Sequence, residues 1–290
     1  LFYYLSIVSA CVLFGACDLE ELPVATATNR AIFGSTSGME LYTTSFYDLL
    51  PSTDVGVFQG DDVSDLVARN GVDDFLAPGA LSPVTSSGWS WGSLRNINYF
   101  IENAEKSTVS GKEHYLGLAR FFRALFYFDK VQRFGDVPWI DKTIEVTDSA
   151  TLKGPRTSRF EVMDKVLADL NYAIENITLT ADPSCTRITK NVARAYKTRI
   201  CLYEASLRKY YTSYNMQGTA GKGFQEVVNA ANDITGFALH KAATDDRSYR
   251  ELFITRNPYA DETILAVALD ASLQVFSSAN RRFISPTYGN

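Results

Sequence analysis

Two kinds of side chain with chemistry beyond packing fall close together in this sequence. Residues 61–74 hold five carboxylates: Asp61, Asp62, Asp65, Asp73 and Asp74. Neighbouring carboxylates are what acid–base catalysis and calcium binding require. Their spacing does not follow the EF-hand pattern and no Glu closes such a loop, so a hydrated acidic loop is the simpler account. Trp89-Ser90-Trp91 follows, two of the three tryptophans in the chain. Side chains alternate along extended backbone, so a Trp-x-Trp pair can turn both rings to one side. Such a pair either offers its faces to a ligand or staples the start of the next helix to the core. The residues leave both open.

Other chemistries find little support. Four cysteines occur, Cys11, Cys17, Cys185 and Cys201, with no CxxC pair, and His114 and His240 lie far apart. Zinc or haem would need a tighter ligand cluster, so no metal and no cofactor are expected. A disulfide between Cys185 and Cys201 has nothing in the spacing to support it. The net charge is −5 and no basic run occurs, which argues against a nucleic-acid partner. Hydrophobic residues make up 46% of 290, enough for a substantial globular core.

Residues 1–16, LFYYLSIVSACVLFGA, are uncharged and apolar. A membrane-spanning helix needs about 20 such residues, so the run suits the core of a secretory signal. Small residues Gly15 and Ala16 precede Cys17, in the manner of a bacterial lipobox whose cysteine is acylated. Asp18, Glu20 and Glu21 follow, giving an acidic tether over residues 17–27. The first residue is Leu1 and the last ten are loop-like, so a missing C-terminal part is expected. The expected organisation is therefore a signal at 1–16, a tether at 17–27 and a helical domain at 28–290.

The elements that must position the tryptophans read as helices. Residues 117–138, GLARFFRALFYFDKVQRFGDVP, form a helix apolar almost all round, suited to the centre of the protein. Arg120 and Arg123 on it are expected to pair with carbonyls or acids inside the bundle. Gly135 and Pro138 close it. One helix is expected over residues 28–50 and another over 92–106. Ser158 and Glu161 spell a capping box for a fourth. Thr189 caps a fifth, in which Tyr196, Ile200 and Leu202 supply bulk. Residues 224–234 and 249–253 read as shorter helices, and 262–269 (ETILAVAL) as a strand. The long stretch 51–90 is loop. Helix pairs with small and aromatic contacts suggest a mostly α, repeat-like fold of the tetratricopeptide kind.

Four segments in this order resemble the SusD/RagB family of outer-membrane nutrient-binding lipoproteins. They are Cys17 with Asp18-Leu19, then Trp89/Trp91 leading into LRNINYFIENA, then ARFFRALFYFDKVQRFGDVPWI, and last RITKNVARAYKTRICLYEAS with YRELF and ETILAV downstream. The resemblance implies a SusD-like fold with tetratricopeptide-like helix pairs, long loops and little β. It implies lipidation at Cys17 and a place on the outer membrane, at the cell surface of a Bacteroidetes-type bacterium. The implied partner is a SusC-like TonB-dependent transporter, and the implied ligand is an oligosaccharide that is bound and not cleaved. Trp89 and Trp91 match the family's aromatic platform; Asn96, with Asp61 and Arg69 in the preceding loop, would be its hydrogen-bonding partners. Sugar rings carry apolar C–H faces and hydroxyl rims that suit such a set. A peptide ligand, or a pure protein-interaction module, is the alternative. A glycoside hydrolase would need two carboxylates set across a cleft, and no such framework is readable.

Overall fold

The computed structural model describes residues 29–50, 77–80, 82, 87–242, 247–268 and 272. Cys17, Asp61, Arg69, the signal and the tether lie outside the described residues. Within them the chain is helical: α1 Asn29–Phe33, α2 Thr36–Thr44, a 3-10 turn at Ser45–Leu49, α3 Gly92–Lys106, α4 Lys112–Phe134, α5 Ser149–Leu152, α6 Arg159–Asn176, α7 Lys190–Tyr210, α8 Gln217–Asn232 and α9 Ser248–Ile254. Successive long helices lie on one another: α3 on α4, α4 on α6, α6 on α7, and α7 on α8. The mostly α expectation holds. No helix among the described residues is long and apolar enough to cross a membrane.

Helix α4 is the hub. It starts five residues before the apolar stretch, because Gly111, at φ 83°, turns the chain into Lys112. Phe121, Phe122, Ala124 and Tyr127 on it are fully buried; each such aromatic contributes about 1.5–3 kcal/mol of apolar burial. A Cβ on Gly117 would stand 3.1 Å from Ile177 Cγ1 and 3.2 Å from its backbone nitrogen. Glycine there lets α4 approach the end of α6. Gly135, at φ 70°, ends α4 and donates its N–H to Val131 O at 3.0 Å.

Charges buried with this core are paired. Arg123 grips Asp169 with two bonds, Nε to Oδ2 at 2.6 Å and Nη2 to Oδ1 at 2.8 Å. Arg159 Nη2 donates to Glu204 Oε2 at 2.7 Å, and Arg208 Nε reaches Glu204 Oε1 at 2.8 Å. Arg120 lies 3.6 Å from Glu105 and over the Tyr172 ring at 4.0 Å. The expected pairing of both arginines within the bundle is observed.

Four expectations need correction. The helix expected over 28–50 is broken, because the Ser35 hydroxyl accepts the Gly38 N–H at 3.1 Å and restarts the chain as α2. Ser158 occupies the N-cap of α6 without a side-chain cap bond; the first amide, Arg159 N, donates instead to Asp136 Oδ1 at 2.7 Å. Residues 262–268 form no strand. Ile264 and Leu265 pack on the core and Ala266 N reaches Cys185 O, with no neighbouring strand among the described residues to pair with. Leu202 adds no bulk, being 47% exposed. Cys185 and Cys201 are free and buried, and burial pushes the Cys201 thiol up to about 11. The β-structure among the described residues is one bridge, Val137 to Thr157.

Candidate functional site

Trp89 and Trp91 stand at the mouth of a cleft of about 540 Å³. The segment before α3 is tied down on α4. Lys130 Nζ donates to Gly88 O at 2.9 Å and Arg133 Nη2 to Ser87 Oγ at 3.1 Å. Trp91 turns inward, 5.6 Å from Phe126 and 6.3 Å from Tyr127 between ring centres. Trp89 turns outward. It is 42% exposed, its ring edge-on to Phe134 at 4.8 Å and to Trp91 at 5.1 Å. The two readings of the pair are thus divided between its members: Trp91 staples, and Trp89 is left open.

The first turns of α3 form one wall, with Leu94, Arg95 and Asn98. The chain after α4 forms the other, through Pro138, Ile140, Lys142, Ile144, Glu145 and Val146. Leu152 and Arg156, in and after α5, complete the rim. This second wall has no regular structure, so its backbone groups need partners, and buried polar side chains supply them. Asn98 Nδ2 donates to Ile140 O at 2.9 Å and to Lys142 O at 3.3 Å. Tyr127 Oη donates to Ile140 O at 3.0 Å and accepts from Ile140 N at 2.6 Å. Burial pushes the Tyr127 phenol well above its ordinary range, so it stays a neutral donor. Glu102 Oε1 accepts from Thr143 N at 2.7 Å. The short α5 is capped by Asp148, which accepts from Thr151 N at 3.0 Å and from its hydroxyl at 2.7 Å. The hydroxyl bond, then the amide bond, holds the Asp148 carboxyl below its usual range.

The resulting trough has an apolar floor and a charged rim. Arg156 holds its guanidinium 5.0 Å from the Trp89 ring centre and donates to Asp136 O at 3.4 Å. Arg95 Nη1 donates to the Ile144 carbonyl. Asn96 does not line the cleft. It is exposed on the adjacent face of α3, where its amide meets the Tyr42 hydroxyl and, at 3.5 Å, Ser45 Oγ. Four lining residues escaped the sequence reading: Arg95, Asn98, Lys142 and Arg156. Asn98 alone carried a signal, as a polar residue one position beyond Ile97 on a helix otherwise buried through apolar side chains. Among the described residues no cluster of three or more metal-ligating side chains occurs.

Residues 91–202 match the SusD-like_3 family, described as "Starch-binding associating with outer membrane". Residues 91–202 are thus similar to the SusD-like family. SusD-like protein P38 of Formosa agariphila is 37% identical over 141 residues, covering 48% of this chain and 24% of that protein. A SusD-like protein of Bacteroides ovatus is 23% identical over 281 residues, covering 91% of this chain and 49% of that protein. The chain spans about half, or less, of the length of the curated relatives it matches. Two Bacteroides fragilis structures share its fold. A SusD-like protein aligns over 85% of this chain and 47% of its own, with a TM-score of 0.59 and 24% identity. A SusD-like carbohydrate-binding protein aligns over 72% of this chain and 42% of its own, with a TM-score of 0.54 and 19% identity. The SusD-like segment 91–202 begins at Trp91 and includes both walls of the cleft.

Proposed function

We propose that the protein is a non-catalytic, cell-surface oligosaccharide-binding lipoprotein that hands its ligand to a SusC-like TonB-dependent transporter in the outer membrane. The observation that carries this reading is Trp89, an exposed indole beside an apolar cleft whose rim is polar. A pyranose lays its C–H face on such a ring while its hydroxyls meet the rim. Arg156, held otherwise by one long bond to a carbonyl, can swing aside to admit it. Trp91 backs the platform. Asp61 and Arg69 are proposed as hydrogen-bonding partners from the preceding loop. Asn96 is proposed as a further partner, for a ligand long enough to run over the first turns of α3.

The family's printed description and the carbohydrate-binding designation of the Bacteroides fragilis protein support the ligand class. The lipobox-like Cys17 after an apolar run supports a signal at 1–16, acylation and an acidic tether over 17–27. The helical domain is proposed to begin near residue 28. An acyl chain would add about 0.8 kcal/mol of membrane affinity per buried CH₂.

Affinity electrophoresis of the full chain against plant and host polysaccharides tests the reading, with Trp89→Ala alongside. Retardation by a glycan, lost in the variant, is expected. Retardation that survives the variant would move the site elsewhere. No retardation by any glycan, with capture of a peptide or of a membrane partner alone, would favour the interaction-module reading.

A further inference from the structure

The charged side chains of the cleft are unlike those of the protein as a whole. The chain carries a net −5, yet the lining holds three cations, Arg95, Lys142 and Arg156, against one acid, Glu145. None of the three cations is neutralised as the buried ones are. Arg95 donates to a backbone carbonyl. Arg156 has one carbonyl at 3.4 Å and an aromatic face. The Lys142 ammonium makes no hydrogen bond or ion pair with the described residues. The acid that feels it, Asp148, already has its oxygens on Thr151.

Hydrogen-bond capacity points the same way. Sugar hydroxyls are donors as well as acceptors, so a site for a neutral glycan needs side-chain acceptors as well as donors. Here Glu145 is the one carboxylate of the lining, and both ends of Asn98 are occupied. Its Nδ2 is on Ile140 and Lys142 carbonyls, and its Oδ1 receives Arg123 Nη1 at 3.4 Å. A carboxylate or sulfate asks only for donors, and guanidinium groups meet it with paired N–H bonds.

We infer that the cleft selects acidic oligosaccharides: a carboxylated or sulfated sugar stacks on Trp89, and Arg156, Lys142 and Arg95 receive its anionic group. Arg156 lies over the Trp89 ring at 5.0 Å, so when it swings aside for the sugar, a group on the sugar's edge stays within its reach. This inference rests on the glycan-binding reading above and adds the ligand's charge class to it.

The test uses the full chain and two matched pairs of ligands, measured by titration calorimetry. One pair is oligogalacturonate and its carboxyl-reduced form; the other is a sulfated galactan oligomer and its desulfated form. At least one acidic member should bind about tenfold or more tightly than its neutral counterpart, with a preference that shrinks as salt rises. The pair that shows the preference identifies the anionic group. Arg156→Gln and Lys142→Gln should each remove about fivefold of acidic-ligand affinity. Lys222→Gln, the same charge change on α8 away from the cleft, should leave it unchanged. Equal binding of acidic and neutral members overturns the inference while leaving glycan binding intact. So does acidic binding that survives both cleft variants, or that Lys222→Gln lowers equally. Failure of the wild type to bind any glycan, neutral or acidic, overturns the glycan reading and this inference with it.

Discussion

The seam between α4, α6 and α7 and the cleft beside Trp89 treat positive charge in opposite ways. In the seam the buried guanidinium groups are answered by carboxylates. Arg123 and Asp169 are both buried and doubly bonded, and Arg159 and Arg208 share Glu204. Desolvation lowers the affinity of Arg123 for its proton, but its bond to Asp169 outweighs that and raises it. In the cleft Arg95 and Arg156 meet carbonyls and an aromatic face. An ion pair inside a helical bundle fixes how the helices sit, and it is complete without a ligand. Cations gathered in a cleft with a single acid among them repel one another, and an incoming anion relieves that. The first arrangement belongs to folding; the second suits the binding role proposed for the cleft.

The sharpest way to break this comparison is to remove one charge from each region. Asp169→Ala leaves Arg123 buried without its carboxylate and should cost about 3–5 kcal/mol in urea unfolding. Arg156→Gln removes an exposed charge and should change stability by less than about 1 kcal/mol. If the two variants unfold alike, the division fails. Next in size, Trp89→Ala should weaken oligosaccharide binding at least about tenfold, roughly 1.4 kcal/mol, while the melting transition stays cooperative. The helix caps sharpen the same contrast. The Thr189 hydroxyl accepts the Val192 N–H at 3.2 Å inside the bundle, so Thr189→Ala should cost about 1 kcal/mol of global stability. Asp148→Ala uncaps α5, which buries no residue; it should lower ligand affinity and leave the melting temperature nearly unchanged.

The smallest effect is one of pH. Asp182 is almost fully exposed. The slight burial that raises its carboxyl is outweighed by bonds from the Ser184 hydroxyl and the Arg187, Thr186 and Ser184 amides, which take it from 3.8 to about 2. A depressed folded value means stability that is present above the unfolded value and lost on acidification. Wild type should therefore lose less than about 1 kcal/mol between pH 4 and 2 that Asp182→Asn does not lose. Acid titration of unfolding with both proteins checks it.

Much of the bundle was legible in the sequence and little of the cleft was. Residues 92–106 were readable to their ends because Leu94, Ile97, Ile101 and Ala104 mark one buried face. The aromatic run identified α4 because so many large rings can be hidden only in the middle of a protein. The irregular wall left no such trace. It is held by Asn98 and Glu102 reaching across some forty residues of chain, and contacts of that separation carry no local periodicity. The β-branched run at 262–268 misled for a related reason. Strand propensity expresses fit to a pleated, half-buried surface, and no neighbouring strand among the described residues offers one. For Trp89 and Trp91, spacing alone could not divide the pair. The division depends on Phe126, Tyr127 and Phe134 of α4.

Trp89 is proposed as the face a sugar meets. The chain has three tryptophans, Trp89, Trp91 and Trp139, so 5-fluorotryptophan labelling should give three fluorine resonances, assigned by Trp89→Phe. On titration with a glycan that retards the protein, the resonance missing from that variant should shift first and furthest. Movement of Trp91 should be smaller, and Trp139, stacked on Tyr127 at 4.3 Å, should stay nearly still. A bound glycan that leaves the Trp89 resonance unmoved would contradict the account.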